Sequence, residues 1–327
     1  MCITWLPLLV VLGLILLYRW YRQSHILENL SHKYVFITGC DSGFGNLLAK
    51  QLDKRGMKVL AACLTKTGAE NLKKETSSRL QTRILDLTDS KSVSSAAEWV
   101  SIIVGNEGLW GLVNNAGYAV GFAPNEWQTK EDFSKVLNVN LLGTIDVTLN
   151  LLHLVRKARG RIVYVSSVAG RLAVLGGGYC PSKYGVEAFA DSLRREMRAF
   201  GVKVSIIEPG AFRTPITAWE SHKNHLIQLW EKLPGHIKED YGENYCKQTS
   251  ISALEGLLQT TNPRLYEVSN CMEHALTAVH PWTRYSPGLD SKLYFLPVSY
   301  LPTAISDYLI CRSAPKPAQC ISAAEKH

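Results

Sequence analysis

The sequence lacks the features that mark several classes of protein. Its eight cysteines form no CxxC pair and are spread along 327 residues, which argues against a disulfide framework or a zinc site. Lysine and arginine exceed aspartate and glutamate by 36 − 28 = 8, but no run of five basic residues occurs, so nucleic acid is not an expected partner. There is no internal repeat and no low-complexity tract. Hydrophobic residues at 46% and charged residues at 20% fit a globular protein and exclude disorder, collagen and coiled coil.

One long hydrophobic run is present, at the amino terminus. Residues 2–18 carry no charge, and as a helix they would be about 26 Å long, slightly short of the hydrocarbon core of a bilayer. Arg19 and Arg22 follow the run, which is the reverse of the order in a cleaved signal peptide. The pattern therefore predicts an uncleaved membrane anchor over residues 1–22, with the rest of the chain on the cytosolic side. A buried amino-terminal helix is the alternative.

A second apolar stretch lies near the carboxyl terminus. Residues 293–310 contain Pro297, Pro302 and Asp307, which do not suit a membrane-spanning helix. We therefore expect residues 291–327 to form a membrane-associated segment that lies on the bilayer surface.

Strand and helix patterns alternate through the middle of the chain, over residues 30–290. Apolar, strand-like runs occur at 34–38, 58–63, 83–87, 109–115, 161–167 and 203–208. Runs that are apolar on both faces and separated by helices predict an α/β fold, a Rossmann-type doubly wound parallel sheet with helices on both faces. Ligands of such a sheet bind at the carboxyl ends of its strands. Over residues 218–263 the pattern is helical, which suits either a core or a lid over an apolar ligand.

A glycine-rich loop follows the first predicted strand. Residues 38–45 read TGCDSGFG and lead into a helical pattern. Glycines let the chain turn sharply and approach a pyrophosphate, whose charge is stabilised by the free amides at the start of a helix. The loop therefore predicts a dinucleotide site.

The spacing TGxxxGxG resembles the short-chain dehydrogenase/reductase family, and further motifs follow in that family's order. These are Asp86 followed by Leu87, the NNAG of residues 114–117, Asn140 in NxxG, Ser167, Tyr179 with Lys183 in YxxxK, and the PGxxxT of residues 209–214. Each motif alone could occur by chance, but so many motifs in the family's order essentially cannot.

The resemblance implies a role for each matching residue. For the cofactor it implies contacts with Gly39, Ser42, Gly43, Phe44, Gly45, Asp86, Leu87, Asn114, Ala116, Gly117, Tyr179, Lys183, Pro209, Gly210 and Thr214. It implies that Asn140, Ser167, Tyr179 and Lys183 are catalytic, with Ser167 and Tyr179 also holding the substrate oxygen. Asn140 would hold a water that relays protons from Lys183, or would serve as a structural amide.

Tyr179 and Lys183 are four residues apart at the start of a predicted helix, so their side chains share one face. A free phenol with a pKa of about 10 is a poor base at neutral pH. A nearby ammonium and an oxidised nicotinamide ring both favour the phenolate. We therefore expect a lowered pKa for Tyr179.

Longer phrases resemble one branch of the family, the microsomal retinol dehydrogenases with the 3α- and 17β-hydroxysteroid dehydrogenases. They are YVFITGCDSGFG, GGGYC, DSLRR, MEHALT and KPAQ. This resemblance implies a cofactor of the NAD type and a lipophilic alcohol substrate, retinol or a hydroxysteroid. It also implies a location at the endoplasmic reticulum membrane, with contact to membrane lipid and with the catalytic domain on the cytosolic side. A homodimer is possible and is left open.

One departure and two alternatives accompany this reading. After the second strand, residues 62–66 read ACLTK, without the acidic residue that NAD enzymes place there, and Lys66 leaves NADP open. An NADP-dependent carbonyl reductase and a catalytically silent nucleotide-binding membrane protein are the alternatives. His222 and His225 are expected on an exposed lid helix, and no metal site is predicted because no third ligand or HExxH motif accompanies them.

Overall fold

One parallel β-sheet organises the chain, in a computed structural model that describes residues 5–119, 122–246, 251–312 and 314–320. Its strand order is β3-β2-β1-β4-β5-β6-β7. The strands are β1 (Tyr34–Ile37), β2 (Lys58–Cys63), β3 (Gln81–Ile84), β4 (Gly111–Asn114), β5 (Arg161–Val165), β6 (Lys203–Ile207) and β7 (Arg284–Tyr285). β1 pairs with β2 on one side and β4 on the other, so the strand order reverses there and the doubly wound prediction is confirmed.

Helices separate the strands, as the alternating pattern predicts. They are α1 (Trp5–Ser24), α2 (Gly43–Lys54), α3 (Lys66–Lys74), α4 (Ser90–Val104), α5 (Lys130–Leu137), α6 (Thr144–Lys157), α7 (Tyr179–Met197), α8 (Trp219–Lys232), α9 (Gly235–Tyr241), α10 (Ile251–Gln259), α11 (Tyr266–Thr277), α12 (Leu296–Ser299) and α13 (Thr303–Cys311). A π-helical segment, Asn138–Gly143, joins α5 to α6.

Apolar side chains fill both faces of the sheet. Leu48 of α2 and Met272 of α11 belong to the core on one face, and Val100 of α4, Leu151 of α6 and Leu193 of α7 belong to the core on the other. β4 and β5 are buried along their whole lengths, as strands covered on both faces must be. Burial on both faces explains why these strands read as continuous apolar runs.

Two strands differ from the sequence-based prediction. β3 covers residues 81–84 instead of 83–87, because its predicted second half is the loop that carries Asp86. β7 was not predicted because it is only two residues long. It pairs with β6 in parallel, with Ile206 opposite Arg284 and Ile207 opposite Tyr285. A pair that short leaves no periodic pattern in the sequence.

In the described part of the region 218–263, α8, α9 and α10 are helical, as predicted, and the region has an apolar cluster of its own. Leu226, Leu229 and Trp230 of α8 pack with Trp127, which lies in the loop between β4 and α5. The rings of Trp127 and Trp230 are 5.1 Å apart. This packing fixes α8 above the carboxyl edge of the sheet; whether the region acts as a lid stays a prediction.

Helix α1 exposes its apolar side chains and is joined to the domain just after its end. The amide of Leu27 donates to Thr277, and the amide of Val279 donates to His25, both at 2.8 Å. Among the residues that the structure describes, none of the helices has both the length and the apolar character needed to cross a membrane. The anchor over residues 1–22 therefore stays a prediction, and its first four residues lie outside the described ranges.

The carboxyl-terminal segment folds into short helices with large exposed apolar side chains. Leu293 and Tyr300 are each 74% exposed, and Tyr308 is 68% exposed. The described part of this segment ends at residue 320, so the predicted tail to residue 327 lies partly outside it. Its association with a membrane stays a prediction.

Candidate active site

A cavity of about 720 Å³ lies at the carboxyl edge of the sheet, among the loops that follow β1 to β6. This is the place where a doubly wound sheet binds its ligands, and the volume suits a small-molecule site. The structure brings together in its lining most of the residues singled out above: Gly39, Ser42, Gly43, Phe44, Asp86, Leu87, Ala116, Gly117, Ser167, Tyr179, Lys183, Pro209, Gly210 and Thr214.

Two of the predicted cofactor residues lie behind the lining. A side chain at Gly45 would collide with the Asn115 amide and the Gly39 carbonyl, so this glycine permits close packing of the loop. Asn114 points away from the cavity and donates to Thr148 of α6 at 2.9 Å. Neither residue is part of the cavity lining, and their contacts with a cofactor stay predictions.

The neighbouring Asn115 holds the glycine loop in place. Its side-chain amide donates to the carbonyls of Thr38 at 2.9 Å and Gly39 at 3.0 Å. Gly39 has φ +70, and a Cβ there would lie 2.7 Å from Ala116 Cα, so only glycine fits this turn. Ser42 precedes α2 without making a side-chain cap, which leaves the first amides of α2 available to an anion.

Asp41 is a cavity residue that the sequence reasoning missed. Its carboxylate accepts from the amide of Leu64 at 2.7 Å and from the amide and hydroxyl of Thr65 at 2.9 and 2.7 Å. The glycine loop thus delivers an acidic group to the end of β2, where no acid follows in the chain itself. The only signal in the sequence was its place inside TGCDSGFG.

Asp290 is a second residue that was missed, and it positions the PGxxxT loop. Its carboxylate accepts from the amide of Ala211 at 2.7 Å. A side chain at Gly210 would collide with that carboxylate, which explains the glycine. No pattern in the sequence connects residues 79 positions apart.

At the adenine end of the predicted cofactor site, Asp86 lies in the loop after β3. Its Oδ1 atom accepts from the amide of Thr88 at 2.8 Å and from its hydroxyl at 2.7 Å. These bonds fix the orientation of the carboxylate at the cavity wall beside Leu87.

The proposed catalytic groups converge at the other end. Ser167 follows β5 and Tyr179 opens α7, and the Ser167 hydroxyl hydrogen-bonds the phenol. Ser166 instead directs its hydroxyl to the carbonyl of Lys183, at 3.5 Å, so the two adjacent serines point in different directions, as strand alternation predicts. Ser167 also accepts from the amide of Ala169 at 3.1 Å, which fixes its rotamer.

Lys183 is a buried cation beside Tyr179. Its ammonium donates to the carbonyl of Val165 at 2.9 Å and lies 5.6 Å from the centre of the Tyr179 ring. Burial lowers the pKa of Lys183 to about 8, against the opposing charge of Glu187, which raises it.

The expected lowering of the Tyr179 pKa is not found in the chain alone. Burial raises the pKa of Tyr179 to about 12, and the hydrogen bond from Ser167 lowers it only in part. Desolvation of a phenolate outweighs an ammonium whose own charge is weakened by burial. A positive charge brought beside the phenol would favour its ionised form.

Asn140 lies in the π-helical segment, fully buried behind the cavity. Its carbonyl oxygen accepts from the amide of Tyr118 at 2.7 Å, and its amide donates to the Tyr118 carbonyl and to Ser182 at 2.9 and 3.0 Å. A π-helical turn frequently marks a functional site. These bonds give Asn140 the structural role, and its water-holding role stays a prediction.

His222 is buried, at 2% exposure, which corrects the expectation of an exposed helix. Its Nε2–H donates to the carbonyl of Ile216 at 2.6 Å, and its ring stacks on Phe122 at 4.3 Å. Phe122 in turn contacts the Tyr179 ring edge to face, at 5.8 Å. Burial lowers the pKa of His222, so the wall above Tyr179 is uncharged at neutral pH.

A chain of ion pairs supports α7 from behind. Glu187, one turn after Lys183, pairs with Arg284, and Arg284 also pairs with Glu208 at 2.6 Å. Arg171 completes the chain, 2.9 Å from Glu208. Burial, and then the neighbouring Glu208, raises the pKa of Glu187.

Comparison with known proteins agrees with this geometry. A model described as short chain dehydrogenase matches residues 33–225. Retinol dehydrogenase 7 of Rattus norvegicus is 56% identical over 317 residues, 97% of this chain and 100% of the relative. 17-beta-hydroxysteroid dehydrogenase type 6 of Homo sapiens is 56% identical over 318 residues, with the same coverage.

A solved structure shares the fold. It is a short chain dehydrogenase/reductase from Burkholderia phymatum in complex with NAD, with a TM-score of 0.68 and 18% identity. The match covers 90% of this chain and 100% of that chain.

Tyr179→Phe removes the proposed base and keeps the ring. We expect turnover of an alcohol substrate to fall by about 10² to 10⁴, the usual contribution of general acid–base catalysis. Tyr184→Phe is the matched control, because Tyr184 lies on the same helix and is 44% exposed. Steady-state kinetics check both variants, and near-normal turnover by Tyr179→Phe would refute the assignment.

Glu187→Gln tests the electrostatic support of Lys183. The Glu187 carboxylate raises the pKa of Lys183, so its removal lowers that pKa further below about 8. Lys183 is charged only below its pKa, and we therefore expect the alkaline limb of the pH profile for alcohol oxidation to move to lower pH.

The control for this experiment is Glu196→Gln, an exposed residue near the end of the same helix. Its alkaline limb should coincide with that of the unaltered chain. An unchanged limb in Glu187→Gln, with an unchanged melting temperature, contradicts the coupling.

Proposed function

The chain belongs to the short-chain dehydrogenase family and is an oxidoreductase that takes a nicotinamide cofactor, and from that premise we propose that it oxidises retinol, hydroxysteroids or both. The observation that carries the proposal is the convergence of Ser167, Tyr179 and Lys183 on one cavity beneath an uncharged wall. The products would be retinal or a ketosteroid.

The residues present fit the implied cofactor. The first amides of α2 can hold a pyrophosphate, Asp86 lines the adenine end, and Thr214 lines the nicotinamide end near Gly43. A Cβ at Gly117 would lie 3.8 Å from the Lys183 ammonium, so that glycine leaves the ammonium open to the cavity. When bound, the oxidised nicotinamide supplies the acceptor for a hydride and a positive charge.

Tyr179 moves the proton in the proposed reaction. Its phenolate takes the hydroxyl proton of the substrate as the carbinol C–H bond breaks, and Ser167 holds the substrate oxygen by a hydrogen bond. Lys183 provides the cation that stabilises the phenolate and would hold the cofactor ribose. The alcohol therefore loses a proton from its oxygen, which passes to Tyr179, and a hydride from its carbon, which the oxidised nicotinamide would accept.

The wall above Tyr179 supports a lipophilic substrate. Ile216 lines the cavity, and Phe122 contacts the Tyr179 ring and is backed by the buried, neutral His222, so the surroundings of the base are apolar. A small polar alcohol gains nothing from such a wall, whereas each buried CH₂ of a retinoid or steroid contributes about 0.8 kcal/mol. Because the substrate is expected to be apolar, we also propose that α8 to α10 form a lid over it.

The preferred cofactor in this proposal is NAD. The Asp41 carboxylate lies at the end of β2, where NADP would place its 2′-phosphate, and like charges there disfavour that phosphate. Lys66 is exposed at the start of α3, where water solvates and screens its charge.

Residues 1–22 and 291–327 are proposed to hold the enzyme at the endoplasmic reticulum membrane, with its catalytic domain in the cytosol. The exposed apolar surfaces of α1 and of the carboxyl-terminal segment support this arrangement. A substrate dissolved in lipid would then reach the cavity without crossing water. Protease protection in sealed microsomes tests the orientation.

A substrate panel tests the activity. The chain is reconstituted in phospholipid vesicles and assayed with NAD against all-trans-retinol, a 3α-hydroxysteroid, a 17β-hydroxysteroid and 2-propanol. We expect kcat/KM for at least one of the long alcohols to exceed that for 2-propanol by about 10³ or more, because the wall rewards buried apolar area. Equal kcat/KM values for all four alcohols would exclude the proposal.

Asp41→Asn tests the choice of cofactor. Removing one negative charge at the end of β2 should lower the preference for NAD over NADP by about tenfold, chiefly through a higher kcat/KM with NADP. Lys66→Ala is the comparison. If Lys66→Ala changes the preference and Asp41→Asn does not, Lys66 controls cofactor choice and the role given to Asp41 is wrong.

A further inference from the structure

A second pocket lies at the amino edge of the sheet, where α1 meets the domain. Its volume is about 560 Å³, and its wall includes Arg19 and Arg22 of α1, Lys203 at the start of β6, and His280 with Trp282 in the loop before β7. We call it the basic pocket. It faces away from the cavity that holds Tyr179, since the two lie at opposite ends of the strands.

The walls of the basic pocket are rigidly joined. Arg22 donates to the ring of His280 at 3.2 Å, and Lys203 donates to the carbonyl of Val279 at 2.7 Å. The amide of Val279 is bonded to His25, just after α1. The end of α1 and the loop before β7 therefore form one surface.

The cations of this pocket have no anionic partner. No aspartate or glutamate is among the residues that line it, and none of the ion pairs within the described ranges involves Arg19, Arg22 or Lys203. Arg284, at the floor, is already neutralised by Glu187, Glu208 and Asp191. Crowded cations repel one another, and in keeping with this the pKa of Lys203 is lowered, by partial burial first and then by Arg161 and Arg22.

We propose that the basic pocket binds a phosphate group, with the headgroup phosphate of an anionic phospholipid as its physiological source. A phosphate accepts several charge-assisted hydrogen bonds, and arginine guanidinium groups match its geometry. Its negative charge would remove the repulsion among Arg19, Arg22 and Lys203.

The surroundings favour a lipid phosphate over a soluble one. The preceding turns of α1 expose Leu14, Leu16 and Leu17, each about half exposed or more, directly before the pocket. Tyr18 and Trp282 flank the cations, and aromatic side chains of this kind are typical of the depth at which headgroups lie. An exposed apolar helix followed by a cationic pocket matches the order of acyl chain and phosphate in a phospholipid.

The test uses the full chain, with its dinucleotide cavity saturated with NAD, and vesicles of phosphatidylcholine with or without phosphatidylserine. Co-sedimentation gives the ratio of the two partition coefficients. We expect Lys203→Ala to lower the preference for phosphatidylserine vesicles about fivefold, the usual effect of one basic residue near a charged bilayer. Lys203→Arg keeps the charge and should keep the preference.

Arg198→Ala is the matched control. Arg198 is an exposed cation that lines a separate basic pocket with Arg156 and Lys157, and no residue of α1 is part of that lining. It should keep the lipid preference of the unaltered chain. If Arg198→Ala loses as much preference as Lys203→Ala, the effect is general surface charge and the proposal is overturned.

A second arm separates the two sources of phosphate. Inorganic phosphate is added at constant ionic strength to the NAD-saturated chain, and the melting temperature is measured for the unaltered chain and for Lys203→Ala. A rise in the unaltered chain alone, without any lipid preference, would assign the pocket to a soluble phosphate. If the unaltered chain shows no preference for phosphatidylserine vesicles and no stabilisation by inorganic phosphate, the proposed phosphate site is refuted.

Discussion

The buried ammonium of Lys183 is the constraint on which the site depends. A cation removed from water is costly unless it is paired, and Lys183 has one carbonyl, that of Val165, and one nearby carboxylate, that of Glu187. This arrangement lowers the pKa of Lys183 to about 8, so the ammonium is mostly charged at neutral pH and loses its charge just above it. The same desolvation raises the pKa of Tyr179, so the two groups are poised together and respond together to any further charge brought into the cavity.

The ion pairs behind α7 follow from that constraint. Glu187 must stay ionised to support Lys183, yet it is buried and close to Glu208. Arg284 pairs with both carboxylates, and it can do so only because β7 adds to the edge of the sheet beside β6. The two-residue strand β7 thereby contributes to the electrostatics of Lys183 and Tyr179, which lie on α7 itself.

Much of this could be predicted from the sequence, because the information was local. β1, β2 and β6 begin where their apolar runs begin, and YxxxK places Tyr179 and Lys183 on one helix face. The raised pKa of Tyr179 in the chain alone was not predicted, because burial depends on how every loop closes over the phenol. Asp290 and β7 were missed because their roles come from contacts between residues far apart in the chain. Asn114 and Asn115 were not told apart, because a motif does not reveal which amide faces the loop.

Asp41 shows why position in the chain and position in space must be kept separate. Dinucleotide enzymes that prefer NAD place an acid at the end of the second strand, and the absence of one after Cys63 left NADP open. The folded chain places the Asp41 carboxylate beside Leu64 and Thr65 from the glycine loop instead. In the cofactor preference proposed above, the requirement is a negative charge at that point of the cavity, and a loop can supply it as well as a strand can. A search for an acidic residue at a fixed number of positions after the glycine-rich loop therefore finds only the carboxylates that the second strand supplies. It misses a carboxylate that another loop places at the same point of the cavity.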